Sequence, residues 1–161
     1  MAANGSTRCP APRFRCERGL WMTGPMAIDR ARIEEVQRLA AEYRREATEG
    51  GTPVEPPMPS GALFWIARDG QRQDMGYAAG TLRPEGLVLG PVYVRPDHRR
   101  SGVGLRLLHQ IQQWAQRARI PLVEVSVASD NDAGVRFLES AGYRIRRHLM
   151  AREDGHGGRQ R

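Results

Sequence analysis

Lysine is missing from this chain: all 25 basic residues among its 161 are arginine. The phosphate-binding P-loop needs a Gly-Lys-Ser/Thr ending, so that loop is excluded and nucleotide hydrolysis is disfavoured with it. Cysteine is scarce as well. Its two copies, Cys9 and Cys16, both lie near the N-terminus, where they build neither a disulfide framework nor a Cys/His metal site, and no metal is expected. They also leave the middle of the chain without a thiol nucleophile. No apolar run approaches the ~20 residues that cross a bilayer, and the N-terminus lacks the ~7–15-residue apolar stretch of a secretory signal. With 40% hydrophobic and 27% charged residues, the composition is that of a globular, cytoplasmic protein with one core and no membrane partner.

A net charge of +7 raises the question of nucleic acid. Residues 1–25 carry +3 and residues 144–161 carry +4, so residues 26–143, with 15 charges of each sign, are neutral. A basic excess confined to the ends reads as solvated arms, and a nucleic-acid partner is not expected. The organisation follows: an arm over 1–25, one domain over 26–153 and a tail over 154–161. Arg13–Glu17 reads equally as a first strand or as part of the arm.

From Ile28, apolar residues recur at Ile33, Val36, Leu39, Ala40, Tyr43 and Ala47. That stripe predicts a helix, with Asp29 placed to cap it. "GGTPVEPPMPSG" (50–61) breaks both helix and strand and is expected to border an acceptor pocket. "ALFWIAR" (62–68), "MGYAAGTL" (75–82) and "LVLGPVYV" (87–94) read as strands. Pro91 cannot donate to a ladder, so it predicts a bulge or an edge facing something other than a strand. Gly102 to Ala118 predict the clearest helix, with Gly104, Leu107, Leu108, Ile111, Trp114, Ala115 and Ala118 on one face and His109 on the solvated side. "LVEVSVA" (122–128) alternates as a strand does. Asp132 to Ala141 predict a helix stopped by Gly142, and "YRIRRHLM" (143–150) a last strand.

Between a strand and a helix stands "RRSGVG" (99–104). A helix start presents backbone N–H groups without partners and roughly half a positive charge. Gly102 and Gly104 clear side chains from those donors, while Arg99 and Arg100 add charge and Ser101 a hydroxyl. The result is an anion site suited to phosphate or pyrophosphate. The dinucleotide fingerprint, with its third glycine, is absent.

These residues resemble the GCN5-related N-acetyltransferases (GNAT family). "VYVRPDHRRSGVG" is similar to that family's acetyl-CoA segment, Arg/Gln-x-x-Gly-x-Gly/Ala, at Arg99, Gly102 and Gly104. "NDAGVRFLESAGY" is similar to its second motif at Asn131, Phe137, Gly142 and Tyr143, and 27 residues separate Gly104 from Asn131. The resemblance covers 87–143 closely and extends over 28–152 by element order. It implies an α/β fold whose mixed, mostly antiparallel twisted sheet is flanked by helices, with splayed central strands. It implies acetyl-CoA as co-substrate and an amine as acceptor. The pantetheine arm would lie between strands 87–94 and 122–128, on backbone groups of Val92, Tyr93 and Val94. The pyrophosphate would rest on Arg99, Arg100, Ser101, Gly102, Val103 and Gly104, and Asn131 would reach the arm from the far side.

The departures concern chemistry. Leu138 stands where many members place a tyrosine acid, Ser126 where some place a glutamate base, and Val88 where histone-type members place theirs. Glu124 and Ser126, on one face of their strand, are the catalytic candidates. The function implied is direct acetyl transfer to an amine of a small molecule, protein or peptide. The alternative is a non-catalytic acyl-CoA-binding or regulatory protein of the same fold. A homodimer is left open.

Overall fold

Sheet pairing claims the residues just before the first helix. The computed structural model describes residues 26–50, 61–128 and 130–146. Ala27–Ala31 form a strand, β1, paired antiparallel with β2 (Leu63–Arg68) from Ala27↔Arg68 to Ala31↔Phe64. Ile28 and Asp29 therefore do not open the helix, as the stripe had suggested. Helix α1 runs over Ile33–Glu49, and Glu35, not Asp29, bonds its entry: the Arg32 N–H donates to Glu35 Oε2 at 2.8 Å. A helical period and a half-exposed edge strand overlap over these few residues, and the available pairing partner decides.

Strands β3 (Asp74–Arg83) and β4 (Gly86–Val94) continue the antiparallel sheet, and β5 (Val123–Val125) joins β4 in parallel, giving the order β1-β2-β3-β4-β5. A parallel neighbour needs a crossover, which helix α2 (Val103–Arg117) supplies. Side chains alternate across a strand, so the two faces receive different helices. Phe64, Ile66, Tyr77, Ala79 and Tyr93 pack with Val36, Leu39 and Ala40 of α1. Trp65, on the opposite face, meets Trp114 of α2 edge-on with ring centroids 5.3 Å apart. Arg30 lies over both indoles, at 5.0 and 5.2 Å. Val103, Leu107, Leu108, Ile111 and Ala115 form the buried stripe of α2, whereas Ala118 is exposed just past its end. His109 is on the exposed side, as expected.

Pro91 sits in a bulge. The β3–β4 register steps from Ala78↔Val92 to Gly80↔Leu89, so Ala79 lies opposite both Gly90 and Pro91. The expected strand over 122–128 is shorter than its alternation promised, since Ser126 and Val127 lie beyond β5 and are exposed.

The described residues through Ala128 make one unit, and those from Asp130 make another. The second contains α3 (Asp132–Ser140), which ends at Gly142 with φ +86° and a Tyr143 N–H to Leu138 carbonyl bond of 3.0 Å. Residues 143–146 take no strand conformation; the rest of the predicted last strand lies outside the described residues. So do Cys9, Cys16, Arg13–Glu17, the 51–60 loop and the C-terminal tail.

Candidate functional site

Directly opposed residues in an antiparallel ladder alternate between pairs that exchange two hydrogen bonds and pairs that exchange none. The Arg95 N–H donates to the Met75 carbonyl at 2.9 Å, which marks Gly76↔Val94 as a pair that exchanges none. Tyr77↔Tyr93 then exchanges both, and Ala78↔Val92 none. The N–H and C=O groups of Val92 and Val94 therefore point away from β3, to the side where β5 would continue. There β5 gives out. Its pairing with β4 ends at Leu89↔Val125, and a Ser126 N–H to Leu89 carbonyl bond of 3.3 Å is the last link. The two strands part opposite the Gly90–Pro91 bulge, and Ser126 stands at the fork. An amide-bearing ligand laid along β4 meets strand-like donors and acceptors there.

Tyr93 takes no part in that open edge. Its backbone pairs with Tyr77, and its ring is buried between Tyr43 and Tyr77 at centroid distances of 5.9 and 6.2 Å. Burial, then the negative charges of Glu46 and Glu42, push its phenol above the usual tyrosine range. It stays protonated at neutral pH and is no base.

Beyond β4 the chain makes a 3-10 turn over Pro96–His98 and then enters α2. Arg100 has φ +61° and Gly102 φ +86°, so the entry depends on two left-handed residues in close succession. Glycine adopts that conformation freely and arginine does not. Gly102 is the N-cap; no side chain caps it, and no acidic residue stands in the first turn. The first helical bond, Arg106 N–H to the Gly102 carbonyl, is 3.0 Å. The N–H groups of Gly102, Val103, Gly104 and Leu105 therefore have no intrahelical acceptor. A Cβ on Gly102 would meet nothing within 4 Å, so the space on that side of the N-cap is open. Val103 contributes only its backbone, because its side chain is buried in the core. Ser101 Oγ donates to the His98 carbonyl at 2.5 Å, which fixes the turn and leaves the hydroxyl oxygen as an acceptor only.

The two arginines behave differently. Arg100 is exposed and has no ion pair among the described residues. Arg99 turns back: Nη2 donates to Glu46 Oε1 and Oε2 at 2.5 and 2.7 Å, Nε donates to the Val94 carbonyl at 2.9 Å, and the guanidinium lies 5.8 Å from the centre of the Tyr93 ring. One helical turn earlier on α1, Glu42 holds Arg95 at 3.0 Å. Two glutamates four residues apart thus hold two arginines four residues apart, astride the 3-10 turn. That match of spacings is visible in the sequence, yet nothing there says that α1 lies beside the turn.

Glu124 is half-buried in β5 and shares the sheet face of its partner Val88, one residue before the strands part. It shares that face with the exposed Ser126. Asn131 belongs to the other unit, where its side chain accepts the Gly134 N–H at 2.8 Å and caps α3. Leu138 is the buried residue of α3. Among the described residues no cluster of three His, Cys, Asp or Glu side chains is placed to hold a metal, and no helix is long and apolar enough to cross a membrane.

The family model described as "Acetyltransferase (GNAT) family" matches residues 31–143. Two curated relatives, the L-methionine sulfoximine/L-methionine sulfone acetyltransferases of Pseudomonas paraeruginosa and Pseudomonas aeruginosa, are each 31% identical over 85 residues. The match covers 50% of this chain and 49% of theirs, so it spans about half the length of those relatives. Among solved structures, a putative acetyl transferase from Pyrococcus furiosus superposes with a TM-score of 0.61 at 20% identity, over 80% of this chain and 99% of that one. An aminoglycoside 6'-N-acetyltransferase from Acinetobacter baumannii does so with a TM-score of 0.59 at 15% identity, over 83% and 100%. At those identities the likeness is one of fold: a mixed five-stranded sheet with flanking helices.

Proposed function

The chain belongs to the acetyltransferase (GNAT) family, and from that premise we propose that it moves the acetyl group of acetyl-CoA directly to the amine of a small molecule. One observation carries the reading: the open backbone edge at Val92 and Val94 runs toward an uncapped helix start at Gly102–Leu105. An arm with two amides followed by a pyrophosphate needs those two features in that order. The groups offered to the co-substrate's arm and pyrophosphate are the carbonyl of Val92, the N–H of Val94, and the amides of Gly102 to Leu105 with the Arg100 charge. Arg99, in contrast, faces Glu46. Asn131, the family's second-motif asparagine, is assigned no contact beyond its cap.

Acetyl-CoA supplies an activated thioester. The neutral amine nitrogen attacks its carbonyl carbon, the C–N bond forms, and the C–S bond breaks. The proton that the nitrogen then sheds goes to the departing thiolate, directly or through water. The Val92 N–H is the first donor on β4 past Pro91, which has none, and it suits the carbonyl oxygen as charge builds there. Glu124, directly or through a water near Ser126, takes the ammonium proton. No side chain is assigned as acid to the leaving thiolate, with Leu138 where the family often has a tyrosine. The small-molecule acceptor is favoured by the substrates named for the curated relatives, to which half of this chain aligns.

Titration calorimetry with acetyl-CoA, beside a thiol-release assay over methionine sulfoximine, methionine sulfone, aminoglycosides and simple amines, tests this. The expected result is saturable binding, thiol release with at least one amine, and loss of binding in Gly102→Val with the fold retained. Glu124→Gln should lower the rate about 10²-fold or more, most at low pH where the amine is most protonated. Unchanged affinity in Gly102→Val would place the co-substrate elsewhere. Binding without thiol release from any amine would make the chain an acyl-CoA-binding protein.

A further inference from the structure

We propose that Glu46 of α1 is a positioning residue for the acetyl-CoA turn and acts through Arg99, whose guanidinium serves as a structural tie and not as a phosphate ligand. The inference rests on the acetyl-CoA reading given above and deepens it. Three contacts converge on Arg99. Its Nη2 meets both oxygens of Glu46, its Nε closes on the Val94 carbonyl, and its plane lies by the Tyr93 ring. Val94 is the last residue of the open edge, and Arg100, the next residue after Arg99, is held at φ +61°. Arg99 therefore joins the end of the pantetheine edge to the start of the phosphate turn. By occupying the Val94 carbonyl it also sets where a ligand running along β4 must leave the strand and turn toward α2.

The turn needs such a tie. Two positive-φ residues within three positions give a backbone that a free loop rarely populates, and a ligand that must first order it binds more weakly. Glu42 and Arg95 secure the near side of the 3-10 turn at 3.0 Å, and Glu46 and Arg99 secure the far side. Both partners of the second pair are nearly half exposed, with side-chain exposures of 42% and 45%. Such a pair adds little to global stability, so its consequence falls on local geometry.

Acetyl-CoA is a polyanion, which makes the sign of the test decisive. If Arg99 belonged to the phosphates, Glu46 would compete for it, and removing that carboxylate would tighten binding. A positioning Glu46 predicts the reverse. In the full chain, Glu46→Gln should raise the acetyl-CoA Kd about tenfold with its melting temperature nearly unchanged. The KM for acetyl-CoA should rise in step while kcat stays close to that of the unaltered protein, and Glu46→Asp should recover part of the affinity. Glu34→Gln, the same loss of charge in the first turn of α1, should leave Kd unchanged or slightly lower. Equal or tighter binding in Glu46→Gln, with the unaltered protein binding normally, overturns the positioning role. Absence of binding by the unaltered protein overturns the acetyl-CoA reading instead.

Discussion

Glu35 accepts the Arg32 N–H at 2.8 Å and Arg68 Nη2 at 3.0 Å, and so joins the start of α1 to the end of β2. The Arg32 N–H first, and the Arg68 guanidinium second, hold its carboxyl below the usual range. A carboxylate whose folded pKa is depressed stabilises the fold above its unfolded value of about 4.3, and that contribution disappears as pH falls through the lower folded value. Thermal melts of the unaltered protein and Glu35→Gln should therefore differ at pH 7, with the variant melting lower, and the gap should shrink as the pH falls below the unfolded value of about 4.3. A gap that persists unchanged at pH 3 would mean that shape, not charge, is what the glutamate supplies. Arg99 teaches a related lesson. As a residue in an anion-binding motif it reads as a ligand for phosphate, and the fold gives it a carboxylate and a carbonyl before any ligand arrives.

β3 is what keeps the outer half of β4 in place once β5 has ended. That pairing is close: a Cβ built on Gly76 would stand 2.5 Å from the Tyr93 carbonyl oxygen, which is backbone and has nowhere to go. Gly76→Ala should destabilise the protein by about 1–3 kcal/mol, read from a urea midpoint. It should also weaken acetyl-CoA binding, because the displaced segment carries Val92 and Val94. Lost stability with untouched affinity would show that the open edge does not depend on its ladder with β3. The first strand shows why element boundaries were harder to read than elements. Alternation over Ala27–Ala31 is too short to compete with the helical stripe that follows, and only the antiparallel register with Leu63–Arg68 separates the two.

Charge is distributed over the chain in a way that bears on partners. Residues 26–143 are neutral and the excess of +7 sits in the flanks. Removing 1–22 and 154–161 should leave acetyl-CoA affinity unchanged by calorimetry while shortening retention on a heparin column, since arginines at the ends hold polyanions by salt-sensitive contacts. A loss of acetyl-CoA affinity on trimming would bring the ends into the binding surface after all.

The strand-turn-helix order around "RRSGVG", the glycine at the helix start, the awkward proline and the spacing to Asn131 are local properties, and each was legible in the residues. Steric limits on φ, the missing N–H of proline and the periodicity of apolar residues act within a few positions, so a single sequence displays them. The depth of the β4–β5 pairing and the partner of Arg99 are not local. The first depends on a register between segments some 36 residues apart that ends at Leu89↔Val125. The second depends on α1 lying over the face that carries Tyr93. Hydrophobic burial chooses that face without regard to sequence distance, and the pairing of Glu46 with a residue 53 positions later follows from it.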